Sequence, residues 1–200
     1  MKSFLHVGCG PKRQDQTTLG FNNSEWREVR LDINPAVSPD IVGSMTDMSA
    51  VQSGSMDAIF SSHNIEHLYV HEIPLALVEF RRVLRPTGFL VLTCPDLKSV
   101  CALVAEDKLL EPAYQSPAGP IAPVDILYGH RAAMARGDLF MAHRSGFTEK
   151  VLVQALKGNG FASVASVTIP KRFELWAAAT VHVVDEAALR EIVVAHFPRR

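Results

Sequence analysis

The sequence predicts an α/β protein built on a doubly wound, largely parallel sheet, and three observations carry that expectation. An apolar run, Phe4-Leu5-His6-Val7, leads straight into the turn Gly8-Cys9-Gly10-Pro11. Glycine has no Cβ, so such a turn bends sharply and leaves its backbone N–H groups open to a bulky ligand. A second apolar strand, Val29 to Ile33, carries Asp32 22 positions after Gly10, near the roughly 20-residue interval at which this fold sets an acid against a ribose. Strand-like runs then recur with an amphipathic helix between the fourth and fifth, the order of a sheet whose active edge lies at one end.

Taken in order, residues 12–25 are polar and punctuated by Asn and Gly, without the apolar spacing of a crossover helix, so the first connection reads as short-helical or mostly loop. Asp40 to Met45 reads as a short third strand leading to Thr46-Asp47-Met48, which puts Asp47 at the ligand edge. Met56 to Ser62 reads as a buried fourth strand that ends in small hydroxylated residues before His63. Over residues 71–84, Ile73, Leu77, Phe80 and Leu84 recur at helical spacing, with Glu79, Arg81 and Arg82 on the wet side, and Pro86-Thr87-Gly88 stops the helix. Phe89 to Cys94 is the fifth strand.

A helix over residues 97–110 and a stretch with four prolines, Glu111 to Pro123, open a loop-rich insertion reaching residue 147. An irregular segment of that length in a compact domain is functional or disordered, and its aromatic, His and Arg content favours function. A helix from about Thr148 to Leu156 follows, stopped by Gly158 and Gly160. Ala162 to Ile169 and Leu175 to Val184 are expected as a hairpin around residues 170–172, and an amphipathic helix over 185–197 sets Leu189, Ile192, Val193, His196 and Phe197 on one face. With no internal repeat, residues 1–200 read as one domain.

Two hundred residues at 48% hydrophobic content and a mean hydropathy of +0.10 suit one well-filled core and argue against disorder. Twenty basic against 21 acidic residues give a formal charge of −1, so no global field favours nucleic acid or an anionic membrane, and the terminal Arg199-Arg200 pair is too short to change that. Cys9, Cys94 and Cys101 are odd in number and lack a Cys-x-x-Cys spacing, which fits reduced thiols rather than a disulfide framework or structural zinc. No signal-peptide core and no run of about 18 apolar residues is present, so a cytoplasmic protein is expected.

The residues Leu5-His-Val-Gly-Cys-Gly10, Asp32, Asp47-Met48, Ser61-Ser-His-Asn-Ile-Glu-His-Leu68 and Glu79-Phe-Arg-Arg-Val-Leu-Arg-Pro-Thr-Gly-Phe-Leu90 stand in one order over residues 4 to about 95. In this combination the chain resembles the class I S-adenosylmethionine-dependent methyltransferases, in particular a small bacterial group with a Ser-His-x-x-Glu-His-Leu pattern. The resemblance implies a Rossmann-like, doubly wound, seven-stranded mixed sheet with its last strand antiparallel. It implies S-adenosyl-L-methionine as cofactor and S-adenosyl-L-homocysteine as product. Gly8 and Gly10 would line the methionine and ribose portion, Asp32 would accept from both ribose hydroxyls, Asp47 from the adenine amino group, and the Met48 N–H would meet a ring nitrogen. Ser62 and His63 would sit beside the sulfonium. The chain departs from the pattern at His6, where the family usually has an acid, and at Pro11, directly after Gly10. The sequence as given also starts at the first strand, so the 97–147 insertion is expected to serve as the substrate lid.

Methyl transfer from a sulfonium starts from an activated leaving group, so the protein's work is positioning, plus deprotonation of the acceptor when it is a hydroxyl. His63, His130 and His143 are the candidate catalytic bases. His63, His67 and His71 fall at i, i+4, i+8 and are expected on one helix face, with Glu66 as an orienting or capping carboxylate. That row is not His-Glu-x-x-His and no supporting carboxylate cluster is visible in the sequence, so no metal is expected. Tyr128, His130, Arg131, His143 and Arg144 are the substrate-side candidates, and paired Arg side chains suit an anionic acceptor. Cys9 reads as a packing residue. The expected activity is methyl transfer to a small-molecule or saccharide acceptor. A non-catalytic cofactor-binding scaffold is the alternative, followed by an NAD-dependent oxidoreductase, for which a full Gly-x-Gly-x-x-Gly with a following apolar helix is missing. The last helix could close the domain's own sheet or pair with a neighbour, as in a homodimer.

Overall fold

The computed structural model describes residues 1–198, so the Arg199-Arg200 pair lies outside the described residues. The first half of the chain forms strands β1 (Lys2–Val7), β2 (Trp26–Asp32), β3 (Ile41–Val42), β4 (Met56–Ser62) and β5 (Leu84–Pro95), with helix α1 (Ile73–Val83) before the fifth. The second half contributes α2 (Leu97–Ala105), a hairpin of β6 (Tyr114–Ser116) and β7 (Gly119–Ile121), α3 (Pro123–Tyr128), α4 (Arg131–Met134), α5 (Glu149–Gly158), β8 (Ser163–Ile169), β9 (Glu174–Thr180) and α6 (Glu186–His196).

Seven strands make one sheet in the order β3-β2-β1-β4-β5-β9-β8. The chain runs outward from β1 through parallel β2 and β3, returns to the other side of β1 with parallel β4, and continues to parallel β5. That reversal puts the topological switch point between β1 and β4, and a crevice outside the carboxyl ends of those strands follows from it. β9, the last strand of the chain, is antiparallel to both neighbours, as the resemblance implied.

Side chains alternate across the sheet with period two, so β1 feeds both cores. Leu5 and Val7 join Leu77 and Phe80 of α1 and Leu152 and Leu156 of α5 on one face, while Phe4 joins Phe21, Trp26, Phe60 and Val91 on the other. The second face lacks a crossover helix because residues 12–25 fold as loop with one 3₁₀ turn, Gln14–Gln16. Phe21 replaces the helix by stacking on Phe4 with ring centroids 4.3 Å apart, and the Gln14 side-chain amide donates to the carbonyls of Phe21, Asn23 and Trp26. The last helix closes its own sheet: Ile192 packs against this aromatic cluster and His196 is buried beside Phe21.

Three expectations on the elements need correction. The third strand covers only Ile41–Val42, because the chain turns at Ser44 to Asp47. The helix over 97–110 stops at Ala105, and Asp107 follows with φ +60°. No helix spans residues 63–71: His63 has φ +51°, Ile65–His67 is a 3₁₀ turn, and His71 precedes α1. Residues 97–147 are also less irregular than expected, since Val100, Ile121 and Ile126 bury a small core of their own. Among the described residues no helix is long and apolar enough to cross a membrane.

Candidate active site

Two cavities open at the carboxyl edge of the parallel strands and share His63, His67 and Met141. The first measures about 240 Å³ and the second about 150 Å³. Together they fall in the range of roughly 300–1,000 Å³ usual for ligand sites.

The first cavity is lined by Gly8, Gly10, Asp32, Ser44, Asn64 and Arg144, among others. Gly8 has φ +65° and Gly10 φ +53°, backbone conformations that L side chains resist, and a Cβ on Gly8 would run into the Asn64 side chain. The Asp32 carboxylate fixes this turn: Oδ2 accepts from the Gly10 N–H at 2.7 Å and Oδ1 from the Asn34 N–H at 2.8 Å. A carboxylate has about four acceptor sites, so two remain for a diol.

Two side chains that the sequence reading passed over shape this cavity, one from behind its wall and one in it. Arg30, 2% exposed in the middle of an apolar strand, donates to the carbonyls of Gly10, Lys12, Val37 and Ser38 and so braces the loops on both sides of Asp32. A lone arginine between Val29 and Leu31 was the available signal. Asn64 packs on Gly8, and its buried Nδ2 has no hydrogen-bond partner among the described residues. Buried donors are rarely left unpaired, so this one fits a ligand with an acceptor group. The glycine turn, the half-engaged acid and the orphaned amide together fit the nucleoside and amino-acid parts of S-adenosylmethionine.

His6 is not part of that site. It is 1% exposed, and its Nδ1 lies 2.6 Å from Glu28, whose other oxygen accepts from the Gln14 N–H. Ser62 shares a hydrogen bond with Thr93 at 3.0 Å and lines neither cavity. Asp47 is exposed and borders a separate groove with Glu79 and Arg82, while the Met48 N–H donates to Glu79 at 2.7 Å. The two residues expected at the adenine thus line neither cavity, and the wall after β3 is Gly43, Ser44 and Met45.

The second cavity is lined by His63, Glu66, Tyr114, His130, His143 and Arg172, among others. His63 leaves β4 in a left-handed turn, with a 41% exposed side chain, Nδ1 3.5 Å from Glu66 and Nε2 3.4 Å from Glu174. Burial opposes its charge, but Glu174 and Glu66 outweigh burial and raise its pKa to about 9. Both carboxylates favour the imidazolium, the form that has no free lone pair with which to act as the expected base. Burial likewise opposes ionisation of Glu66, yet His63, His67 and His143 hold its carboxyl below the ordinary range. His143 is held below its ordinary value by burial.

The insertion is tied to this wall by main-chain bonds, since the N–H groups of Arg144 and Ser145 both donate to the Glu66 carbonyl. His143 and His130 therefore reach the second cavity, whereas Arg144 borders the first and lies over the Tyr69 ring at 4.9 Å. Tyr128 is 63% exposed and lines neither cavity. Arg131 is engaged by Asp125 through two hydrogen bonds of 2.7 and 3.1 Å and lines neither. The cation expected from Arg131 is supplied at the cavity by Arg172. Glu66, His67 and His143 offer ligand atoms within 4.8 Å of one another, so the absence of a supporting carboxylate, read from the sequence, is also corrected.

Residues 5–92 match a family model described as a methyltransferase domain. Among solved structures, a Methanosarcina mazei S-adenosylmethionine-dependent methyltransferase superimposes with a TM-score of 0.57 at 17% identity, over 90% of this chain and 93% of that one. The Burkholderia thailandensis 1,6-didemethyltoxoflavin-N1-methyltransferase, solved with bound 1,6-didemethyltoxoflavin and S-adenosylhomocysteine, gives 0.56 at 15%, over 90% and 71%. The CMeT domain of the citrinin polyketide synthase gives 0.56 at 12% over 92% of this chain, which spans 47% of that one. These likenesses are in fold. No curated protein matches the sequence.

Proposed function

We propose that this chain, whose residues 5–92 match a methyltransferase-domain model, is a class I S-adenosylmethionine-dependent enzyme that methylates a small-molecule or glycan-type acceptor bound in the second cavity. The observation that carries the reading is the pair of cavities meeting at His63, one lined by the glycine turn and Asp32, the other by imidazoles and Arg172.

Bound in the first cavity, the cofactor supplies a methyl group on a positively charged sulfur. Asp32 would accept from the ribose diol, Asn64 would donate from Nδ2, and the Gly8-Gly10 turn would allow the close approach that a side chain would block. His63, kept cationic by two carboxylates, marks the junction and orients rather than deprotonates. When the acceptor is a hydroxyl, its oxygen bonds to the methyl carbon, its proton passes to a base, and the sulfur keeps the C–S electron pair. His130 suits the base: it lines the second cavity and sits in the segment carrying the acceptor wall. Glu66 and Glu174 take up the charge of His63, so Arg172 is the cation this cavity offers an acceptor's carboxylate or phosphate.

The test is transfer of a labelled methyl group from S-adenosylmethionine to a panel of hydroxylated carboxylic acids and acidic sugars, with the neutral analogues alongside. Label appearing on the anionic members, and falling by at least about tenfold with Arg172→Ala, supports the reading. Cofactor binding with no transfer to any member would favour the scaffold alternative.

A further inference from the structure

We propose that Glu66, His67 and His143 bind a divalent transition-metal ion of the zinc class, with an open coordination position facing the second cavity. The first argument is an excess of acceptors. Glu66 is 1% exposed, and neither of its carboxylate oxygens has a hydrogen-bond partner among the described residues. Two imidazoles stand beside it, and both have their Nδ1 engaged by a main-chain carbonyl: His67 with Ala142 at 3.0 Å and His143 with Ile126 at 2.8 Å. A carbonyl only accepts, so each Nδ1 carries the proton, and in the neutral ring Nε2 is left as a lone pair. Two nitrogen lone pairs then converge on a buried carboxylate whose one neighbouring donor, His63 Nδ1, stands off at 3.5 Å from Oε1, an arrangement that a bound cation satisfies more fully.

The second argument is how the rings are held. A metal-binding imidazole usually donates its other N–H to a carbonyl or carboxylate, which fixes tautomer and orientation. Both rings have that support, and the Glu66 carbonyl, bonded to the N–H groups of Arg144 and Ser145, anchors the same junction from the main chain. The ligand atoms lie within 4.8 Å of one another. Tetrahedral bonds of about 2.0–2.1 Å draw such atoms to about 3.4 Å, so closure takes an inward movement of about an ångström.

Two nitrogens and one carboxylate oxygen suit a borderline ion such as Zn²⁺, and three protein ligands leave a fourth position free, the pattern of catalytic rather than structural zinc. Glu66 and His143 are walls of the second cavity, so that position opens on the space assigned to the acceptor. That the fourth ligand is an acceptor oxygen rests on the proposed function; the ion itself does not.

The experiment is equilibrium dialysis of the whole chain against micromolar Zn²⁺ with elemental analysis, and Co²⁺ titration followed by visible absorption. One ion per chain and the absorption bands of low-symmetry Co²⁺ are expected, with affinity falling about a hundredfold or more in His143→Ala and in Glu66→Gln. Titration of both variants with S-adenosylhomocysteine checks folding independently of the ion. Failure of wild-type protein to retain a stoichiometric ion, or variants that bind it as well as wild type, would overturn the proposal. Cofactor binding without the ion removes the metal and leaves the methyl-transfer reading standing; the ion without cofactor binding does the reverse.

Discussion

The two cavities are built by different means. The walls of the first come mainly from the ends of neighbouring parallel strands, with Phe140, Met141 and Arg144 of the insertion on one side; the strand-end part is held by two glycines in the left-handed region, a carboxylate holding two N–H groups, and Arg30 behind the wall holding four carbonyls. The second is made by side chains that meet only because the chain folds back, as in the bond from His67 to Ala142 across 75 positions. A site made of strand ends inherits its geometry from the sheet; a site made of an insertion has to be held by specific tertiary bonds. The first therefore suits a ligand common to many proteins of this fold, and the second suits the part of the chemistry that varies.

The sharpest way to break this contrast is Arg30→Leu. It removes the partner of the half-buried bonds to the carbonyls of Gly10, Lys12, Val37 and Ser38, and a loss of about 2–4 kcal/mol is expected in urea unfolding, since bonds to a charged group are worth about 1.5–3 kcal/mol each and water can reach some of these carbonyls. A loss under about 1 kcal/mol would mean the loops are held by something else.

Acid separates the scaffold from both cavities. His196 is buried against Phe21, with Nδ1 2.6 Å from the Thr18 hydroxyl, and burial lowers its pKa from 6.5 to about 4. The unfolded chain takes up the proton first, so stability is full above about pH 6.5 and falls as pH drops toward 4, by about 2–3 kcal/mol. In His196→Gln that part of the acid slope should vanish; a slope unchanged from wild type would reassign it.

The smallest effect is expected at Tyr128. It lies in the insertion yet lines neither cavity, so Tyr128→Ala should leave cofactor affinity and methyl transfer within about twofold. A tenfold loss would show that the insertion closes further over the acceptor than the two cavities imply.

The same contrast decides how much of the molecule was legible in its sequence. Gly8, Gly10 and Asp32 could be read because the turn's steric demand and the acid at the next strand end are set by spacing along the chain. The parallel strands and the helices with an apolar face could be read for the same reason. The placing of Asp47 and Met48 off the cavity wall was not readable, because β3 stops after two residues and the Asp47 N–H bonds back to the Ser44 carbonyl, turning the segment aside. The histidine row failed on one residue: His63 adopts a positive φ, so i, i+4 spacing carries no meaning there. Nothing in local spacing could place His143 beside Glu66, since the bonds that join them link the insertion's end to a turn far upstream.

The measurement that bears most directly on the division of labour is calorimetric titration with S-adenosylhomocysteine, and with NAD in parallel, of wild type, Asp32→Ala and His130→Ala. Two charge-assisted hydrogen bonds at about 1.5–3 kcal/mol each make a loss of about a hundredfold or more the expected result for Asp32→Ala, with His130→Ala binding within about threefold of wild type and no heat from NAD. Equal losses in both variants would contradict the separation of the two cavities, and tight NAD binding with none of the sulfur compound would contradict the cofactor.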